Sequence, residues 1–180
     1  MQFDPKWDRR FLEMARLVST WSKDPSSKIG SVVVRPDRTV ASVGFNGFAR
    51  GLPDYPQLYA DREFKIATVI HAEENAILSA HERLAGCTIY VSGLPPCAGC
   101  ASKIIQAGIT RVVAFDKVVP ARWARNMLAG AGNLLMARCQ VDLFDEAGGG
   151  FFRLSQASGL MVEGGHGISH NHFTFREKIG

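Results

Sequence analysis

Two short blocks constrain this chain more than any other feature: His71-Ala72-Glu73 and Pro96-Cys97-Ala98-Gly99-Cys100. Each stands where a helix is expected to begin. Cys97 and Cys100 fall about one turn apart, so both sulfurs can face one point. The positive end of the helix dipole favours their anionic form there. His71 opens the other helix, and Glu73 lies in the same first turn. A fold that uses these residues must bring two helix starts together. One imidazole and two thiolates suit a tetrahedral zinc ion, and three protein ligands leave the fourth position open. Glu73 can approach that open position without ligating.

On its own, a C-x-x-C pair reads equally as a structural zinc knuckle or as two buried thiols. No second C-x-x-C and no spaced histidine pair lies near it, which counts against a closed structural site. Cys87 and Cys139 stand singly among apolar residues at expected strand starts and read as small core residues. Four cysteines in 180 residues are too sparse for a disulfide framework.

The periodicities give an order of elements. Residues 8–22 carry apolar side chains at helical spacing. Residues 29–35 and 39–45 read as a strand hairpin around Pro36-Asp37-Arg38. The stretch 46–62, with two Gly and two Pro, reads as a long functional loop, and 63–69 as a short helix. Helices are expected over 71–81, 97–107 and 121–130, and strands over 87–92, 110–115 and 138–144. Alternation of strands and helices argues for an α/β fold in three layers, with helices on both faces of a sheet. A single domain is expected over 1–147. The Gly-rich stretch 148–180 reads as a partly ordered extension held by its Phe residues. Its His166, His170 and His172 read as a polar tail rather than a metal site.

Composition narrows the classes. The chain is 46% hydrophobic with a net charge of +4, and no block of five like charges offers a nucleic-acid arm. No apolar run approaches the ~20 residues of a membrane span, and MQFDPKWDRR lacks the apolar segment of a secretory signal. A cytoplasmic protein without membrane or nucleic-acid partners is expected.

The H-x-E…P-C-x-x-C pattern is the signature of zinc-dependent nucleobase deaminases. More widely, residues 7–145 resemble the deoxycytidylate (dCMP) deaminase family. The blocks SKDPSSKIGSVVV (22–34), GFNGFARG (44–51), HAEENAIL (71–78) and PPCAGCASKIIQAGITRVV (95–113) carry the resemblance. It implies a cytidine-deaminase-like α-β-α fold with a mixed five-stranded sheet. It implies Zn2+ on His71, Cys97 and Cys100, and conversion of dCMP to dUMP and ammonia. Glu73 would be the catalytic proton shuttle, a role worth about 10²–10⁴-fold in rate. Asn46 would contact the sugar, Ser26 and Lys28 the phosphate. Ala72, Pro96 and Trp123 would complete the substrate contacts, with Arg122 and Arg125 flanking the tryptophan. The family also implies a homo-oligomer, dimer or hexamer, with dCTP and dTTP as effectors. Residues 49–69 contain no Cys or His, so the second zinc of some relatives has no ligands there. Glu74 is expected to face outward. Alternatives are a deaminase of 5-substituted dCMP, tRNA adenosine or guanine, or a non-catalytic zinc-binding interaction module.

Overall fold

A computed structural model describes residues 3–155 and the backbone of 176–179. Helix α1 (Pro5–Ser19) starts earlier than its apolar periodicity suggests. Asp4 is its N-cap and accepts from the Lys6 and Trp7 amides, with Pro5 at the first helical position, where its missing N–H costs nothing. Strands β1 (Gly30–Val34) and β2 (Val40–Phe45) form the expected hairpin. Helix α2 (Pro56–Ala60) forms within the expected loop, and α3 (Arg62–Thr68) is the short helix expected over 63–69. Helix α4 (Ala72–Leu78), strand β3 (Thr88–Val91), helix α5 (Ala98–Gln106) and strand β4 (Arg111–Phe115) follow. Helix α6 (Ala121–Met136) runs well past the expected end, through Gly130 and Gly132, because both are buried against the body of the protein. Strand β5 (Gln140–Phe144) is next.

The α/β class and mixed sheet match the expectation; the strand number does not. The sheet has seven strands, in the order β2-β1-β3-β4-β5-β6-β7, instead of five. Strands β6 (Phe151–Leu154) and β7 (Arg176–Ile179) extend it beyond β5. The chain reverses at Asp145–Gly150, and β6 then pairs antiparallel with β5. Phe151 and Leu154 are buried, one in each core. A four-residue strand is too short for alternation to reveal. His166, His170 and His172 lie outside the described residues.

The pairs β3/β4 and β4/β5 are parallel, with α5 and α6 as their crossovers; the other pairs are antiparallel. Alternation along the strands builds two cores. Val33, Ile89, Val91 and Val112 pack with α4, α5 and α6, whereas Val32, Val34, Tyr90 and Val113 pack with α1. Cys87 and Cys139 lie buried in the first of these cores, as their surroundings in sequence suggest. Gly44 seats α4, since a Cβ there would lie 2.2 Å from the Ala76 nitrogen. No helix among the described residues is long and apolar enough to cross a membrane.

On the α1 side a buried ion network crosses the sheet. Arg111 on β4 bonds both Asp8 oxygens at 2.8 Å and Asp142 on β5 at 2.8 Å. The Tyr90 hydroxyl donates to Asp8 at 2.6 Å. Burying these charges is costly, but removing one partner costs more, because the other stays buried and uncompensated. We expect Asp8→Ala to lower stability by about 3–5 kcal/mol. Urea denaturation checks this, and a loss below about 1 kcal/mol would show that the network does not hold α1 to the sheet.

Candidate active site

His71 is the N-cap of α4 and Cys97 the N-cap of α5, both in extended conformation. A short bridge between Gly47 and Ile70 fixes the chain just before His71. The β3 strand delivers the other block: Ser92, which follows it, accepts from the Gly30 amide at 2.8 Å. The two helix starts meet. The His71 Nδ1 atom lies 3.6 Å from the Cys97 sulfur and 3.3 Å from the Cys100 sulfur. All three ligand atoms fall within 4.8 Å of one another, so the group can hold one metal ion. Glu73, 5% exposed, lies beside it in the first turn of α4.

Hydrogen bonds couple the three side chains. One from Cys100 holds the Cys97 thiol well below its ordinary range, and His71 adds to the effect. Cys100, as donor to that sulfur, is pushed upward, and contact with Cys97 raises His71. A divalent cation bound to such a group would displace these protons. Burial raises the Glu73 carboxyl above its ordinary range.

A cavity of about 680 Å³ opens over this group. Its lining includes His71, Ala72, Glu73 and Cys97, together with Ser26, Asn46 and Trp123. Two sequence candidates lie elsewhere. Lys28 is exposed and Pro96 buried, and neither lines the cavity. Asn46 commits its side chain to the turn before β1: it accepts from the Ile29 amide at 2.7 Å and donates to the Ser27 carbonyl at 2.8 Å. Glu74 points away from the cavity to Lys103 on α5, at 3.0 Å.

Sequence reasoning missed Lys65, Asp24 and Asn126, which also line the cavity. Lys65, on α3, bonds the buried Asp24 carboxylate at 2.7 Å and also the Ser26 hydroxyl. Asp24 accepts further from the Ser26 and Ser27 amides at 2.8 and 3.1 Å. Asp-Pro-Ser-Ser is an Asx-turn signature, and this could have marked Asp24 as the organiser of the turn. Nothing local in sequence joins it to Lys65, 41 residues later.

The mixed sheet, a His/Cys/Cys group that could hold a metal and a buried carboxylate beside it are the features of a deaminase. Residues 5–116 match the profile of the cytidine and deoxycytidylate deaminase zinc-binding region. The chain belongs to the cytidine and deoxycytidylate deaminase family, and is an enzyme that hydrolyses a C–N bond. It is 41% identical over 145 residues to an uncharacterized deaminase from the luxG 3' region of Aliivibrio fischeri, covering 79% of this chain and 90% of that one. It is 31% identical to the deoxycytidylate deaminase of Homo sapiens, covering 78% and 85%. Its fold matches the dCMP deaminase of cyanophage S-TIM5, solved with dCMP and dUMP. That match has a TM-score of 0.59 at 24% identity and covers 78% of this chain and 98% of that one.

The Asp24 carboxyl is a sensitive reporter of the cavity wall. Burial raises its pKa, but hydrogen bonds from Lys65, Ser26 and Ser27 together bring it below the ordinary 3.8. Asp24 therefore adds stability above that value, and the contribution is lost as pH falls through the lower folded value. Lys65→Met should raise the Asp24 pKa, since the largest opposing contact is gone. An NMR titration of the carboxyl carbon checks this; an unchanged or lower value would show that Lys65 does not hold Asp24 in solution.

Proposed function

We propose that this enzyme is a zinc-dependent deaminase of a cytosine deoxynucleotide, converting dCMP to dUMP and ammonia. The observation that carries the reading is a buried glutamate beside a His/Cys/Cys group, in a cavity also lined by Arg62, Lys65 and Arg122. The soft donor set of His71, Cys97 and Cys100 fits zinc and leaves one position open. Zinc held there supplies Lewis acidity that brings the pKa of water toward neutrality. The rest falls to the chain. Glu73 Oε takes a proton from water as the water oxygen bonds to the amine-bearing carbon, and passes that proton to the adjacent ring nitrogen. It then takes the remaining proton of the added hydroxyl and gives it to the amine, so that the carbonyl forms, the C–N bond breaks and ammonia leaves. Trp123 and Ile29 line the same cavity and offer apolar surface to a base.

The phosphate reading is supported by the three cations. It transfers to Lys65, Arg62 and Arg122 the part that Lys28 holds in a reading of the sequence alone. The names of the human and cyanophage relatives point the same way. A charge-assisted hydrogen bond is worth about 1.5–3 kcal/mol. Two of them separate nucleotide from nucleoside by roughly 10²–10⁴-fold.

Purified protein should hold about one zinc per chain, and ammonia release should favour dCMP over deoxycytidine by that factor. Glu73→Gln should keep the zinc and lose at least about 10²-fold in turnover. Retained activity would remove Glu73 as the proton carrier. Preference for deoxycytidine or guanine would defeat the nucleotide reading and leave the deaminase intact.

A further inference from the structure

Helix α5 begins with an unusual problem. Its N-cap position is occupied by Cys97, which brings no side-chain oxygen to cap the first turn. The Ala101 amide makes the first helical bond, to the Cys97 carbonyl at 2.8 Å. The amides before it have no helical acceptor, as in any first turn. Elsewhere a Ser, Asp or Asn at the cap fills this role. Here a metal-ligating residue holds that place.

The first of these amides finds its acceptor on another helix. The Ala98 amide donates to Asn126 Oδ1 on α6, at 2.9 Å. Gly130 lies four residues further along α6, on the same stripe. It is buried, and a Cβ there would sit 2.3 Å from the Pro96 oxygen, 2.8 Å from the Cys97 carbonyl carbon and 3.0 Å from the Ala98 nitrogen. Two independent features of α6 therefore converge on the backbone of residues 96–98. One supplies an acceptor, and the other supplies the space that lets the helix come close enough to present it.

We propose that Asn126 and Gly130 are positioning residues for the metal group: α6 caps the cysteine turn from outside and holds Cys97 in register with Cys100 and His71. Neither residue touches the ligand atoms. Both act through the main chain on either side of Cys97. The inference rests on the reading that His71, Cys97 and Cys100 hold zinc. Outer contacts that orient metal ligands commonly govern affinity by 10- to 100-fold.

The test uses the full chain loaded with zinc, and reads release of the metal to a chromogenic chelator. Asn126→Leu removes the acceptor at similar volume and should speed release by about 10-fold or more. Asn126→Asp keeps an oxygen for the Ala98 amide and should restore a rate near that of the unaltered protein. Gly130→Ala should speed release as well. Cobalt-substituted protein gives a second readout, because the sulfur-to-metal charge-transfer bands follow thiolate geometry. Those bands should shift in Asn126→Leu and return in Asn126→Asp. Unchanged release and an unchanged cobalt spectrum in Asn126→Leu overturn the proposal, as does Asn126→Asp behaving like Asn126→Leu. If Gly130→Ala does not fold, the two Asn126 variants decide alone. Failure of the unaltered protein to bind zinc would instead overturn the metal reading itself, which separates the two outcomes.

Discussion

The site depends on holding two helix starts against each other. Each helix N-terminus carries a partial positive charge and unpaired amides, so two of them facing one point repel. The residues placed there offset this. Glu73 and Glu74 stand in the first turn of α4, and at the start of α5 the Cys97 thiol is held well below its ordinary range. The same arrangement that makes the junction tolerable brings three groups together that could hold a metal ion.

The sheet does the positioning. Antiparallel pairing of β1 with β3 ties the end of β3 to the start of β1, through Ser92 and Gly30. Close contact at Gly44 presses α4 onto β2. The other face of the sheet has a different task. There the Arg111 network joins α1, β3, β4 and β5 through Asp8, Tyr90 and Asp142. Ion pairs of this kind specify geometry because their hydrogen bonds are directional, whereas apolar packing tolerates sliding. One face of the sheet therefore fixes the frame, and the other carries the reaction.

Much of this was legible in the chain. The helix over 97–107 and the strands around 88–91 and 111–115 follow from apolar runs bounded by Pro and Gly, and buried parallel strands read as continuous apolar stretches. The deviations have physical causes. Gly130 and Gly132 look like the end of α6, but burial overrides their low helix propensity. Strands β6 and β7 escape notice because four residues are too few to show a period, and their pairing, β6 on the β5 edge and β7 on β6, is set only in the folded sheet.

The grouping of His71, Glu73, Cys97 and Cys100 was legible in sequence alone, because the H-x-E and C-x-x-C spacings are short and local, and the structure brings the His and both Cys together. The walls of the cavity were legible only in part, through Ser26, Asn46, Ala72 and Trp123. Asp24 meets Lys65 across 41 residues, and Ala98 meets Asn126 across 28. In a single sequence such pairs are an ordinary Lys and an ordinary Asn, with no spacing to mark them. Lys28 shows the converse: it stands in the right turn, yet its side chain is exposed outside the cavity. Local chemistry is written in neighbouring residues, while the direction a turn faces and the helix that covers it exist only once the sheet has brought distant segments together.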